Sequence, residues 1–257
     1  MCGIVGYVGK GSALPVMLEG MQKLEYRGYD SAGVAVVSAG TLSVERKAGR
    51  IEELLTALEK KNLSGSLGIG HTRWATHGAP TDDNAHPHRD CTKSIALVHN
   101  GIIENHDFLR AELEADGHRF ASETDTEVVA HLLESIIAKK ACTLREAVQA
   151  AVGRLEGAYA LVCIRVQEPD VIVVARQEPP IIVGVAGDAG LVASDIPALL
   201  AHTRDVVPVD NHQIAEVRPG ALRLFGFDGV EVAPAPVRVE WDLAAAEKAG
   251  YEDFMLK

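Results

Sequence analysis

Cysteine is scarce in this sequence: Cys2, Cys91, Cys142 and Cys163 are the only four, and no two of them form a C-x-x-C pair. That usage excludes a disulfide framework and a zinc ribbon. Long apolar runs are missing as well. The longest, residues 158–164 and 179–186, fall well short of the roughly 18–20 residues that a spanning helix needs. There is no run of Lys or Arg longer than a pair such as Lys60-Lys61, and the formal net charge is −11. Such a field repels phosphate backbones and anionic lipid heads, so neither nucleic acid nor a membrane surface is expected as a partner. The N-terminus carries no basic segment followed by a continuous apolar stretch, which leads to the expectation of a cytoplasmic protein.

What is present is the composition of an ordinary globular protein, 47% hydrophobic and 24% charged over 257 residues, without low-complexity tracts or internal repeats. A chain of this length buries roughly 70–75% of its unfolded surface, and a single large domain is expected. Residues 3–8 read as a strand and 12–25 as a helix, with Leu14, Met17 or Leu18, Met21 and Leu24 at helical spacing. Residues 33–38 and 41–47 read as paired strands about Ala39-Gly40, and 50–60 as an amphipathic helix.

Two apolar runs, 66–73 and 94–100, each stop at polar residues, and between them lie about twenty residues (74–93) rich in Pro, His, Asp, Asn and Thr. A loop that long suggests a task such as covering a substrate. Helices are expected over 105–116, 124–139 and 143–155, with capping boxes at Thr124/Glu127 and Thr143/Glu146. From residue 157 onward the pattern is of short strands separated by Gly, Pro and Asp, with Pro208 restricting its own strand to a sheet edge. Helices and strands come in separate blocks, so the fold class is α+β with mainly antiparallel sheets. Residues 237–257 lose strand character and read as a linker following a domain of residues 1–236.

Cys2 stands apart by position. If Met1 is removed, one residue carries a thiol with a pKa of about 8.5 and an α-amine roughly 0.5–1 unit lower, a nucleophile and a base together. Gly3 leaves the backbone beside the thiol unobstructed. Its context is a series of blocks in fixed order: M-C-G-I-V-G-Y at the start, L-E-Y-R-G-Y-D-S-A-G at 24–33, H-T-R-W-A-T-H-G at 71–78, H-P-H at 86–88, V-H-N-G-I-I-E-N at 98–105 and S-E-T-D-T-E at 122–127. In this order they resemble the glutaminase domain of the glutamine–fructose-6-phosphate aminotransferases, class II amidotransferases of the N-terminal-nucleophile hydrolase fold. The resemblance runs over essentially the whole chain. W-A-T-H after H-T-R is closer to these sugar-phosphate enzymes than to the phosphoribosyl-pyrophosphate amidotransferases.

The resemblance implies a four-layer αββα sandwich that hydrolyses L-glutamine through a Cys2 thioester. It assigns Asn100 and Gly101 as donors of an oxyanion hole, Arg73 to the substrate α-carboxylate and Asp125 to its ammonium. Thr76 and His77 fall on a closing loop, Trp74 shields the departing ammonia, and Arg27 supports the nucleophile from behind. No cofactor is implied. The ammonia is expected to pass to a C-terminal sugar-isomerase half of the same polypeptide, and the full-length enzyme to be a homodimer.

Each residue also has a plainer reading: a solvated strand end for Arg73, an acid answering a helix dipole for Asp125, a hairpin turn for Asn100-Gly101. His86, His88 and Cys91 have three donors and no evident fourth, so loop packing is expected there in place of a metal. A non-catalytic glutamine-binding domain, or another N-terminal-nucleophile amidohydrolase, stays open as an alternative. One departure from the family pattern is A-R-Q-E-P-P-I-I at 175–182, where a Gly-Ser-Pro turn is usual; it lies outside the motif blocks and is expected to affect a local turn or contact, not the hydrolysis.

Overall fold

The computed structural model describes residues 2–61, 63–74 and 78–240. In chain order the elements are β1 (Gly3–Val8), α1 (Ala13–Leu24), β2 (Ser31–Ser38), β3 (Thr41–Ala48), α2 (Ile51–Glu59), β4 (Leu67–Arg73), β5 (His88–Arg89), β6 (Ile95–Ile103), α3 (His106–Ala115), α4 (Thr126–Lys140) and α5 (Leu144–Val152). The strands β7 (Gly157–Arg165), β8 (Glu168–Gln177), β9 (Ile182–Ala186), β10 (Ala189–Ala193), β11 (Asp205–Pro208), β12 (Gln213–Arg218), β13 (Ala221–Gly226), β14 (Glu231–Val232) and β15 (Val237–Arg238) follow. Every strand pairing is antiparallel. The strands form an eight-stranded sheet, in the order β15-β11-β9-β10-β1-β4-β2-β3, and a seven-stranded sheet, β14-β13-β12-β8-β7-β6-β5.

Strand alternation builds four layers. Successive residues of a strand face opposite sides, so β1 sends Ile4 and Val8 towards the second sheet and Val5 and Tyr7 towards the helices. Val98, Val162, Ile172 and Val174 answer from the second sheet, giving an apolar layer between the two. On the outside of the first sheet, α1 presents the Met17, Met21 and Leu24 that the sequence spacing picks out, and α2 adds Leu54. Burying one such side chain contributes about 1.5–3 kcal/mol. Gly68 and Gly70 on β4 let α1 approach closely, since a Cβ at either would collide with a methionine, Met17 or Met21. On the outside of the second sheet α4 packs between the strands and its neighbours α3 and α5, with Val129, Leu133 and Val148 in its core. The α+β sandwich expected from the sequence is the architecture observed.

Local differences have local causes. The capping box at Thr143/Glu146 forms in full. The one expected at Thr124/Glu127 forms only by half: the Glu127 N–H reaches Thr124 Oγ1 at 3.4 Å, but the Glu127 carboxylate accepts from Ala121 N, Ser122 N and Ser122 Oγ instead. Helix α4 accordingly starts at Thr126. Pro208 sits beyond the short β11–β15 pairing, where no ladder donor is demanded of it on that side. Val237 and Arg238, read from sequence as linker, still pair with β11, and Val239 is buried beneath. Residues 241–257 lie outside the described residues. Among the described residues no helix is long and apolar enough to cross a membrane.

Candidate active site

The alternation that fills the layer between the sheets also builds the site at its open end. On β4, His71 and Arg73 share the face of Leu67 and Ile69; on β6, Asn100 shares the face of Ala96 and Val98; Cys2 precedes β1 in phase with Ile4. Where the apolar side chains of these three strands stop, polar ones continue on the same face. They meet in a cleft of about 520 Å³ whose walls include Cys2, Arg27, Arg73, Trp74, Asn100, Gly101 and Asp125. Seven of the nine candidates named from sequence are therefore brought together. The other two, Thr76 and His77, lie outside the described residues.

The Cys2 sulfur accepts a hydrogen bond from the Trp74 N–H at 3.2 Å. Burial pushes its thiol pKa up, with the Trp74 backbone as a smaller opposing effect, so the group needs a base to ionise near neutral pH. The Trp74 indole itself stands 49% exposed and meets Tyr29 edge-on at 5.4 Å.

Asn100 donates from Nδ2 to the Cys2 carbonyl at 3.1 Å, and its Oδ1 lies 3.0 Å from His71 Nε2. His71 Nε2 also lies 3.1 Å from the His99 carbonyl, so both partners are acceptors and Nε2 carries the proton. Complete burial drives the His71 pKa down to about 3, which keeps the ring neutral. His71 thus fixes which way the Asn100 amide faces. It is not among the residues singled out from the sequence, although it opens the H-T-R-W-A-T-H-G block.

Asn100-Gly101 is no hairpin turn, and the strand that precedes it in sequence does not stop there. It continues through Ile103, with Asn100 opposite Ala160 and Gly101 opposite Tyr159. Gly101 has φ +123°, and a Cβ there would strike the Ala158 carbonyl, so only glycine keeps the strand in this shape.

Arg73 is 4% exposed and its guanidinium donates to the carbonyls of Gly78 (3.2 Å) and Ala79 (3.4 Å), so it is not a solvated strand end. Asp125, 5% exposed, precedes α4 but makes no side-chain cap to it. Its Oδ2 accepts from the Ile103 N–H at 2.8 Å and its Oδ1 from Thr126 Oγ1 at 3.4 Å, which holds the carboxylate in the wall of the cleft. Arg27 donates to the Ser194 carbonyl (3.1 Å) and to Asp195 (2.9 Å), while Ser194 and Ile4 exchange hydrogen bonds at 3.0 Å. These contacts tie the segment after α1 to the strands beside Cys2.

The surrounding residues fall into two groups. Glu178, Pro179 and Pro180 line the cleft, so the departure at 175–182 falls on its wall. The tight connection from β8 to β9 carries them there, and Glu178 takes φ +78°, in the left-handed region that favours glycine. His86 and His88 are indeed packing residues: their Nε2 atoms contact Thr126 Oγ1 (2.9 Å) and Thr124 Oγ1 (3.0 Å), and His86 stacks on His71 at 4.3 Å. Cys91 faces elsewhere, towards His118 and His131.

Comparison with known proteins agrees with this geometry. A family model described as glutamine amidotransferase domain matches residues 71–201. The glutamine–fructose-6-phosphate aminotransferase (isomerizing) of Streptomyces coelicolor is 53% identical over the whole chain, which covers 42% of that protein. The protein of the same name from Aquifex aeolicus is 50% identical, with 43% of it covered. The chain therefore spans about two fifths of the length of these relatives. Among solved structures, the glutamine phosphoribosylpyrophosphate amidotransferase of Bacillus subtilis, complexed with ADP and GMP, superposes with a TM-score of 0.75 at 28% identity, covering 88% of this chain and 49% of the other. The two-sheet sandwich is that of the N-terminal-nucleophile amidotransferases, and with the family match extending from His71 across β6 and the start of α4, the chain belongs to the glutamine amidotransferase domain family.

Proposed function

We propose that this chain hydrolyses L-glutamine to glutamate and ammonia, with Cys2 as nucleophile. The observation that carries the reading is the convergence of Cys2, Asn100, Gly101, Arg73 and Asp125 on one cleft from four separate parts of the chain. A guanidinium and a carboxylate in one small cleft suit the two charged ends of a free amino acid, and Arg73 matches a carboxylate's planar geometry.

Once Met1 is gone, the freed α-amine accepts the thiol proton through water, and the sulfur attacks the side-chain amide carbon. The tetrahedral oxygen takes hydrogen bonds from Asn100 Nδ2 and the Gly101 N–H. Ammonia leaves with the proton returned by the amine, and a glutamyl thioester remains. Water then attacks the thioester through a second oxyanion held by the same donors, releasing glutamate and restoring the thiol. The neutral His71 keeps the Asn100 amide turned towards the Cys2 backbone, Arg27 braces the strand behind it, Thr76 and His77 close over the bound glutamine, and Trp74 shields the departing ammonia.

The names of the relatives extend the reading. The ammonia serves to aminate fructose 6-phosphate on a sugar-isomerase half that follows this domain in the same polypeptide, in a cytoplasmic homodimer, with residues from about 240 onward as the connecting segment. Glutamate release from L-glutamine by the purified chain, beside Cys2→Ala and an intact mass that reports Met1, tests the core of it. Release by the processed chain and none by Cys2→Ala supports the mechanism; a folded, processed chain without activity counts against it.

A further inference from the structure

Cys91, His118, His131 and Glu134 bring one donor atom each to a common point, all within 4.8 Å of one another. They come from three places: Cys91 from the turn between β5 and β6, His118 from the connection between α3 and α4, and His131 and Glu134 from one face of α4 at i, i+3. None of them lines the glutamine cleft.

Four of the six donor separations are close to those of a coordination shell, and the other two lie within 4.8 Å. Cys91 Sγ lies 3.5 Å from His131 Nδ1 and 3.9 Å from His118 Nδ1. Glu134 Oε2 lies 2.9 Å from His118 Nδ1 and 3.5 Å from His131 Nδ1. A tetrahedral zinc ion with Zn–S of about 2.3 Å and Zn–N or Zn–O of about 2.0–2.1 Å sets S···N edges near ~3.6 Å and N···O edges near ~3.3 Å. Shifts of about half an ångström or less bring all four distances to those values.

The surroundings hold the donors in place. The Arg119 N–H donates to the Cys91 sulfur at 3.4 Å and orients it towards the two histidines. Glu134 is fixed by the N–H groups of Cys91 (3.2 Å) and Thr92 (3.1 Å), which orient its carboxylate and leave lone pairs for a cation. His131 is fully buried, and its other nitrogen, Nε2, lies 3.5 Å from the Glu127 carboxylate. With that carboxylate on the far side of the ring, Nδ1 is the nitrogen that faces the other three donors.

We propose that these four residues form a structural zinc site. One sulfur, two imidazoles and one carboxylate suit a borderline cation and not Mg²⁺ or Ca²⁺, and four protein donors leave no open position for catalysis. Zn²⁺ displaces the Cys91 thiol proton to solvent and binds the thiolate, with both histidines neutral. The ion clips the β5–β6 turn and the 117–125 connection to α4. That connection ends at Asp125, so the clip steadies the wall that carries the carboxylate of the cleft.

The test uses the purified chain, stripped with EDTA and titrated with Zn²⁺ and, separately, with Co²⁺. The expected result is about one zinc per chain, a sulfur-to-cobalt charge-transfer band, and a loss of at least ~100-fold in zinc affinity in both Cys91→Ser and His118→Gln. Circular dichroism and glutamate release report whether the variants fold. In the unmodified chain, zinc should also shield Cys91 from alkylation, read by peptide mass, and this measurement needs no variant. Absence of the charge-transfer band, unprotected Cys91 at saturating zinc, or undiminished affinity in either folded variant would overturn the site.

Discussion

His71 Nε2 stands 3.0 Å from Asn100 Oδ1, and the other end of the same amide reaches the carbonyl of Cys2. The histidine thereby sets the direction in which Asn100 offers its N–H groups. Asn100→Ala should lower kcat for glutamine about 100- to 1,000-fold with little change in KM, as expected for a donor that acts on the transition state. His71→Ala should give a smaller fall in kcat, about 10-fold or more, because the amide is left free to turn; the check is steady-state glutamate release with KM and kcat resolved separately. Equal effects on KM alone would show that His71 does not act through Asn100.

Asp125 should show the opposite pattern. In Asp125→Asn the acceptor for the Ile103 N–H survives while the charge is lost. Removing one member of a desolvated charge pair costs about 2–5 kcal/mol, so kcat/KM should fall by more than about 30-fold, mainly through KM. An unchanged KM would place the substrate ammonium elsewhere.

Gly101→Ala is a test of backbone geometry. The positive φ and the Ala158 carbonyl leave no room for a methyl group. The β6–β7 pairing must then shift, and a destabilisation of about 3 kcal/mol or more is expected in urea unfolding, together with loss of glutaminase activity. Gly117, also at positive φ but with nothing near its missing Cβ, serves as a control: Gly117→Ala should cost only about 1–2 kcal/mol of backbone strain.

Glu178 holds φ +78° on the cleft wall. Glu178→Gly relieves that strain and should raise stability by up to about 1 kcal/mol, seen as a higher midpoint in thermal unfolding. A drop in midpoint would mean that the side chain contributes more than its backbone costs.

Acid should unfold this domain readily. Burial drives His71 and His88 from 6.5 to about 3 and lowers His86 and His99 as well. Between pH 6.5 and about 3 the unfolded chain takes up protons that the folded chain refuses, so stability falls as pH falls, by up to about 1.4 kcal/mol per pH unit for each such histidine. Urea midpoints measured from pH 8 to pH 4 should be flat above about 7 and decline steeply below 6. A midpoint independent of pH over that range would show that the rings are protonated in the folded state.

The amino-acid sequence by itself determined the elements and most of the candidate site. Helix α1, the β2–β3 pair and the Thr143/Glu146 box follow from signals a turn or a strand pair long, which a local stretch of residues carries in full. Cys2, Arg73, Asn100, Gly101 and Asp125 are legible because each sits in a distinctive local block. Tertiary structure alone decided how residues far apart in the chain meet. Cys2 touches Asn100 across 98 positions, and Glu178 enters the cleft from a turn outside every block. Cys91 groups in sequence with His86 and His88, its near neighbours, yet it faces His118 and His131, 27 and 40 positions away. The reason is physical: sheet register and helix packing set these encounters, and both depend on how two apolar layers fit together, which no short stretch of sequence encodes.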